Sequence, residues 1–349
     1  MKMKRLLAAL LCLALLCGCG AQTAAPAATG SPAAPVAPPD DAPTSSSAND
    51  APTPPPEATA LPARTWPLTV TDDLGREVTL SAPPEKVAAL IGSFAETWLL
   101  AGGTLAAAVK DAWDDFKLPL GPEVENLGSY TKVSLEQLFT AEPDLILASG
   151  NTKSQMELKD TLEQAKVSVL YFNVNGFEDY LRMLKICCDI TGRTDLYEQN
   201  GMEVQKQVDA AVAAAQQAKE TQGAPRVLLL RTAASGIHAK GSTGTVLGLM
   251  LADLGCVNIA DGSALLEDLS IERIIEADPD RIFIVQQGND SAGAEQTLRE
   301  ALTDNPAWAG LTAVKEGRVH AMDRTLFHFK PNNRWGQAYA ELEAILYNK

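Results

Sequence analysis

Seven residues able to carry positive charge fall at the ends of predicted strands, or in the loops after them, in the second half of the chain. They are Arg231, His238, Lys240, Arg324, His328, Lys330 and Arg334. Each alone is typical of a solvated surface charge. The chain as a whole carries a formal net charge of −15, and Arg and Lys bind carboxylates and catecholates through charge-assisted hydrogen bonds. This concentration of cations therefore predicts a site for an anionic small molecule.

The histidines do not predict a bare metal site. Zinc or manganese would need several histidines and carboxylates to converge, and the chain has three scattered histidines. His238 lies in a predicted loop, where it is a candidate haem ligand or hydrogen-bond donor. His320 falls inside a strand-like run, which favours a core or edge position.

The glycine-rich segment 241–248 does not predict nucleotide hydrolysis. It lacks the lysine of a phosphate-binding loop, and the chain has no Gly-x-Ser-x-Gly turn for a nucleophile. The segment instead predicts the start of a helix beside the ligand site, where free N–H groups meet an anion.

A Ser-x-Glu motif followed by Pro-Asp occurs twice, 136 residues apart, from Ser134 and from Ser270. Each copy predicts a Ser N-cap, a short amphipathic helix ended by Pro, and a buried strand. Glu136 and Glu272 then lie in first helical turns, where the helix dipole alone favours a carboxylate. The repetition also indicates two similar lobes, each presenting one exposed carboxylate to a partner.

Buried strands alternate with helical segments along most of the chain, which predicts an α/β fold with parallel sheets covered by helices. The predicted strands are 86–91, 144–149, 167–172, 226–231, 280–285 and 318–323. No strand interrupts residues 177–222, where strong helix formers predict one long helix. We therefore predict two Rossmann-like lobes, 67–193 and 224–349, joined by a rigid interlobe helix at 194–223.

In such sheets the carboxyl ends of the strands form the ligand crevice. In the first lobe this rule selects loop residues as candidate ligand contacts. They are Ser93, Phe94, Tyr130, Asn151 and Asn173.

The N-terminus carries export signals. Three cationic residues precede the apolar run 6–16, which is too short to span a bilayer. The following Leu16-Cys17-Gly18-Cys19 resembles a bacterial lipoprotein signal. We expect a signal peptide at 1–18, lipid on Cys19 and a disordered Ala/Pro/Thr/Ser-rich tether at 19–66, which place the mature chain on the outer face of the cytoplasmic membrane. Cys187 and Cys188 read as core residues, and no disulfide is predicted.

Four segments in order, 68–90, the two Ser-x-Glu repeats and 305–323, resemble the substrate-binding lipoproteins of ABC importers for ferric siderophores, haem or cobalamin. The resemblance runs from Leu68 to the C-terminus. It implies the class III periplasmic-binding-protein fold, a ligand cleft between the lobes, and no catalysis. It also implies that Glu136 and Glu272 pair with arginines of a transmembrane permease dimer, which works with ATPase subunits.

The expected function is capture of a ferric siderophore and its delivery to the permease, by a monomer without a resident cofactor. Haem or cobalamin binding in the same importer class is the first alternative. A ligand sensor and a metal-dependent enzyme on a two-lobe scaffold are weaker ones. The acidic net charge argues against nucleic acid as a partner.

Overall fold

The computed structural model describes residues 65–266 and 269–347. The predicted signal peptide, Cys19 and the tether up to residue 64 lie outside the described residues. Trp66, assigned to the end of the tether, packs against the core. Across the described residues, no helix combines the length and apolar character needed to cross a membrane.

The first sheet is five-stranded and parallel, with strand order β5-β4-β3-β8-β9. Two antiparallel hairpins, β1-β2 and β6-β7, accompany it. The strands of this part are β1 (Leu68–Thr71), β2 (Glu77–Leu80), β3 (Val87–Ala89), β4 (Ala107–Ala108), β5 (Glu125–Asn126), β6 (Gly128–Ser129), β7 (Lys132–Val133), β8 (Leu145–Ser149) and β9 (Ser168–Phe172).

The second sheet has the order β11-β10-β13-β14, and β12 pairs with the start of β10. Its strands are β10 (Arg226–Ala233), β11 (Gly236–Lys240), β12 (Val257–Asn258), β13 (Arg281–Gln286) and β14 (Val319–Met322). All pairings are parallel except that of β11 with β10. The α/β prediction and all six predicted strands are confirmed. The predicted loop around His238 is wrong, because this segment forms β11.

Helices cover both sheets. Those of the first half are α1 (Gly92–Leu100), α2 (Asp111–Asp114), α3 (Leu135–Thr140), α4 (Lys153–Met156), α5 (Lys159–Gln164), α6 (Phe177–Thr191) and α7 (Thr194–Tyr197). Those of the second half are α8 (Glu203–Gln222), α9 (Val246–Asp253), α10 (Ile271–Ala277), α11 (Ser291–Leu298), α12 (Thr312–Lys315), α13 (Arg324–Phe327) and α14 (Trp335–Tyr347). A π-helical turn, Glu198–Met202, joins α7 to α8, so one helical run matches the predicted helix at 194–223. The exact lobe boundaries stay a prediction.

The repeated motif forms the same local structure twice. Ser134 Oγ accepts a hydrogen bond from the Gln137 amide, and Ser270 Oγ accepts one from the Arg273 amide, each at 3.3 Å. These caps begin α3 and α10, and they confirm the predicted Ser N-caps.

The aspartate that ends each motif ties its strand to the neighbouring strand. Asp144 carboxylate oxygens accept hydrogen bonds from the amides of Glu85 (2.7 Å) and Lys86 (3.1 Å), just before β3. Asp280 Oδ2 accepts one from the Arg226 amide (2.7 Å) at the start of β10. The Pro-Asp pair is therefore repeated because each sheet uses the same side chain to fix adjacent parallel strands in register.

One cluster of buried apolar residues extends through both sheets. It includes Phe172 from β9, Phe283 from β13, and Val208 and Tyr339 from helices α8 and α14. Cys187 and Cys188 of α6 belong to this cluster, as predicted. Because packed interiors resist deformation, a core shared in this way favours small movements between the sheets.

Candidate functional site

Two adjoining cavities form the candidate site, which we call the cleft. The basic cavity, of about 110 Å³, is lined by cations and by apolar residues from the second sheet. The acidic cavity, of about 230 Å³, is lined mainly by residues from the first half of the chain, including Asp111 and Asp115. His328 and Lys330 line both cavities, so the two form one continuous surface.

The basic cavity holds Arg231, Lys240 and Lys330 beside the apolar side chains Leu229 and Val285. Arg231 Nε is buried without a hydrogen-bond partner among the described residues. Burial lowers the pKa of all three groups; the Arg231 charge lowers that of Lys240 further, and the charge of Asp111 opposes the shift at Lys330. Among the described residues no carboxylate forms an ion pair with these three cations, and an anionic ligand would supply the missing charge.

The start of α9 forms another wall of the basic cavity. Gly244, Thr245 and Val246 line it, and Thr245 Oγ1 caps the helix by accepting a hydrogen bond from the Gly248 amide at 3.1 Å. The prediction that the glycine-rich segment opens a helix is confirmed. A helix N-terminus carries partial positive charge, so α9 adds to the attraction for an anion.

His328 lies where the two cavities meet. Burial, followed by the nearby charges of Arg231, Arg324 and Lys330, lowers its pKa to about 4. The imidazole is therefore neutral at pH 7, with one nitrogen able to donate a hydrogen bond and the other able to accept one.

The acidic cavity contains polar atoms with unused capacity. Asp111 Oδ2 accepts a hydrogen bond from the Gly92 amide (3.1 Å), whereas Asp111 Oδ1 and Ser93 Oγ are buried and have no partner among the described residues. Burial and the neighbouring Asp115 charge raise the pKa of Asp111 to about 6. This wall can accept hydrogen bonds from hydroxyl or amine groups of a ligand.

Replacing Asp111 by Asn is expected to remove a pH-dependent part of the stability. The raised pKa means that the folded state binds the proton more tightly, so the free energy of unfolding falls as pH rises from about 4 to about 6. Between pH 4 and 7 the free energy of unfolding of the wild-type protein should fall by on the order of 2 kcal/mol relative to that of Asp111→Asn. Chemical denaturation across this range measures the difference.

Asp114→Asn is the matched control, because Asp114 lies on the same helix but its side chain is 46% exposed. In the control, the free energy of unfolding should change with pH as it does in the wild type. Equal slopes for Asp111→Asn and the wild type would contradict the assignment.

Arg324 connects the two halves of the chain rather than lining the cleft. Its Nη2 lies 3.5 Å from Asp115 Oδ1, and its guanidinium lies 4.7 Å from the ring centre of Phe329. Phe329 in turn packs against Phe116, with ring centres 5.4 Å apart. Arg324 therefore makes contacts across the cleft and is not among the residues that line either cavity, and its predicted ligand contact stays a prediction.

Six predicted ligand contacts line the cleft. They are Ser93, Tyr130, Arg231, Lys240, His328 and Lys330. Ligand binding by them stays a prediction, but the structure brings all six together.

The other predicted contacts lie elsewhere. Phe94 is 2% exposed and packs edge-on against Phe172 in the core. Arg334 Nη2 faces Glu96 Oε1 at 3.9 Å. His238 is exposed on β11, beyond the residues that line the basic cavity.

Two asparagines were also placed differently from expectation. The Asn173 backbone amide donates to Asp73 Oδ2 (2.7 Å) in the turn between β1 and β2, and Asn173 is not among the residues that line either cavity. Asn151 donates to Asn175 Oδ1 (3.0 Å), and Asn175 lines the basic cavity instead.

Asp111, Asp115 and Asn175, which line the cleft, were missed by the sequence reasoning. Gln287 directly follows β13, where the strand-end rule predicts ligand contacts, and it lines the acidic cavity. The two aspartates could not have been found in this way, because they resemble the other acidic residues of a chain with 44 of them. In the described residues, no group of three or more His, Cys, Asp or Glu side chains is placed to hold a metal ion.

Glu136 and Glu272 lie outside the cleft and are exposed in the first turns of α3 and α10. Both positions agree with the predicted helix starts. Their exposure satisfies the first requirement for contact with a partner protein.

Comparison with known proteins gives a consistent result. The "Iron-uptake system-binding protein" of Bacillus subtilis (strain 168) is 24% identical over 207 residues, which are 57% of this chain and 61% of the relative. The "Probable siderophore-binding lipoprotein YfiY" of the same organism is 25% identical over 268 residues, or 73% of this chain and 80% of the relative. A periplasmic heme-binding protein from Pseudomonas aeruginosa superposes with a TM-score of 0.62 at 22% identity, covering 76% of this chain and 93% of that one.

A family model described as periplasmic binding protein matches residues 87–326, which is more than half of the chain. The matched range contains both five-stranded sheets, the long helical run and the residues that line the basic cavity up to β14. The chain therefore belongs to the periplasmic binding protein family.

Proposed function

We propose that this chain is the extracytoplasmic binding component of an ABC importer and captures an anionic iron chelate, a ferric siderophore, in its cleft. The observation that carries the proposal is a group of desolvated cations that have no ion-pair partner among the described residues. They are Arg231, Lys240 and Lys330, which line the same cavity as the N-terminus of α9. Carboxylate and catecholate chelates carry the complementary charge. The apolar walls suit the carbon framework of such a ligand.

Delivery requires contact with a permease. The exposed carboxylates of Glu136 and Glu272 suit a two-fold transmembrane dimer that offers basic residues and works with ATPase subunits. Lipid on Cys19 holds the receptor at the membrane surface, since two acyl chains give stable anchoring. A monomer without a resident cofactor suits this role, with the chelate as cargo.

Haem is the second candidate, and one observation favours it. His328 lies at the centre of the cleft with a lowered pKa of about 4, and a neutral imidazole can ligate haem iron. It replaces the exposed His238 as the candidate axial ligand. Cobalamin is a further alternative within the same importer class.

Titration of residues 65–349, which include both sheets and all residues that line the cleft, with ferric catecholate, ferric hydroxamate, haem and cobalamin tests the proposal. We expect a ferric siderophore to quench tryptophan fluorescence and to bind most tightly. A haem Soret band that shifts on binding, persists in His238→Ala and is lost in His328→Ala would overturn the siderophore assignment.

Transport is separated from sensing by deleting the gene and measuring radio-iron uptake. A binding component is required for import, so uptake should be lost and should return with the wild-type gene. Undiminished uptake would favour a sensor that binds the same ligand.

A further inference from the structure

Two large apolar side chains are exposed at equivalent positions of the repeated motif. Phe139 is 39% exposed and Ile275 is 40% exposed. They lie 136 residues apart, the spacing of the repeat, and each follows its motif glutamate by three residues. Single exposed apolar residues are common on protein surfaces and need no explanation. The same exposure at the same position in both copies does call for one.

The helix geometry puts each apolar side chain beside the glutamate. Residues three apart are neighbours on a helix surface, so Glu136 and Phe139 share one face of α3, and Glu272 and Ile275 share one face of α10. We call these two pairs the docking patches.

Buried residues fix the direction in which each docking patch faces. Leu138 of α3 and Ile274 of α10, which directly precede the exposed residues, are both 0% exposed and belong to the cores under their sheets. Because these two side chains anchor the helices, Phe139 and Ile275 are held pointing outwards rather than turning inwards.

The topology puts both docking patches at the same edge of their sheets. Helix α3 leads through a tight turn into β8, and α10 leads in the same way into β13, each a strand with parallel neighbours. A helix preceding such a strand runs opposite to it, so its N-terminus lies towards the carboxyl edge of the sheet, where ligand crevices form. The two docking patches therefore flank the cleft, one on each half.

We propose that Phe139 and Ile275 insert into apolar depressions of the permease dimer next to the basic residues that receive Glu136 and Glu272, so that each half of the receptor docks through one charged and one apolar anchor. This inference rests on the proposed function and names a further pair of contacts for it. A two-fold permease fits because it offers the same depression twice, as the receptor offers the same docking patch twice. Burial of the apolar anchors stabilises the docked state, while the glutamates orient the encounter.

The test uses the double variant Phe139→Gln, Ile275→Gln and measures its affinity for the permease and ATPase complex held in lipid nanodiscs. Val257→Gln is the matched control, because Val257 is 52% exposed but lies on β12, outside both docking patches. Removing two apolar anchors should weaken docking by at least about tenfold. The control should dock like the wild type, and all variants should keep the wild-type unfolding midpoint because the replaced side chains are exposed.

A second double variant, Glu136→Ala, Glu272→Ala, separates the possible failures. If it loses docking while the glutamine double variant docks like the wild type, the apolar anchors are wrong and the docking glutamates stand. If the wild-type receptor does not dock at all, the proposed function fails together with this inference. If the wild type instead forms a dimer in sedimentation that the glutamine variant abolishes, the docking patches serve a second copy of the chain, and the inference is overturned.

Discussion

Replacing Lys330 by Met is expected to weaken binding of the ferric siderophore by about 30-fold or more and, at the same time, to stabilise the unliganded protein. The loss of affinity follows because removing one member of a buried charge pair costs about 2 kcal/mol or more. The gain in stability follows because burial lowers the pKa of Lys330, which means that the folded state disfavours the charge. Methionine preserves the length of the side chain and removes that charge.

The pH dependence of this gain has a definite sign. Below the lowered pKa of folded Lys330, its buried charge destabilises the folded state by the full amount. As pH rises from there towards the unfolded pKa near 10.5, the folded state loses the proton first and this destabilisation disappears. The advantage of Lys330→Met, on the order of 1 kcal/mol at pH 7, should therefore shrink at alkaline pH. Fluorescence titration and chemical denaturation measure the two effects separately.

Lys153→Met serves as the control, since the Lys153 side chain is 92% exposed. It should change neither quantity. Normal ligand binding by Lys330→Met would contradict the ligand contact. A variant that is less stable than the wild type at pH 7 would show that Lys330 supports the fold.

Much of the fold is predictable because the sequence repeats its local signals. Ser134 and Ser270 each cap a helix, and Asp144 and Asp280 each bind the backbone of the neighbouring strand. The two serine caps depend on short stretches of chain, so spacing is sufficient to find them. The two aspartates bind amides 59 and 54 residues away in the sequence, and those contacts are seen only in the folded structure. The burial of the predicted strands follows from their continuous apolar runs.

A residue of the site is predictable from the sequence only where it lies at or near the end of a predicted strand. Arg231 lies near the carboxyl end of β10, and Lys330 lies in the segment that follows β14 and α13, so a search for cations near strand ends and in the loops after them finds both. Phe94 is wrong because adjacent residues on a helix point about 100° apart, so Ser93 can line the cleft while Phe94 enters the core. Choosing between them requires the rotation of α1 about its axis, which is set by tertiary packing.

The position of Asn173 depends on a contact a hundred residues away. Its amide is bound by Asp73, in the turn of the β1-β2 hairpin, and no local signal places that hairpin against β9. His238 shows a related difficulty, since it pairs with Arg231 across β10 and β11 but lies beyond the cavity. The strand pairing could be proposed from sequence, whereas the limit of the cavity depends on loops from both halves.

Replacing both Glu136 and Glu272 by Ala is expected to abolish uptake while ligand affinity stays at the wild-type value. Both carboxylates are exposed and lie outside the cleft, so their removal leaves Arg231 and Lys330 untouched. Each loss of a charge pair with the permease should cost about 2 kcal/mol or more, and two together weaken docking by roughly a thousandfold. Radio-iron uptake by cells and fluorescence titration of the purified receptor measure the two quantities.

Each single variant should retain part of the transport, because one docking contact remains. Glu295→Ala is the matched control, because the Glu295 side chain is 71% exposed but lies on α11, outside both docking patches. It should transport normally. Undiminished uptake in the double variant would contradict the docking role. Loss of uptake together with loss of ligand affinity would mean that the two glutamates act on the cleft. Loss of uptake with ligand binding retained is the one result that fits the proposed receptor. In that receptor the two halves hold the ligand between them, and the repeated helix of each half contacts a two-fold partner.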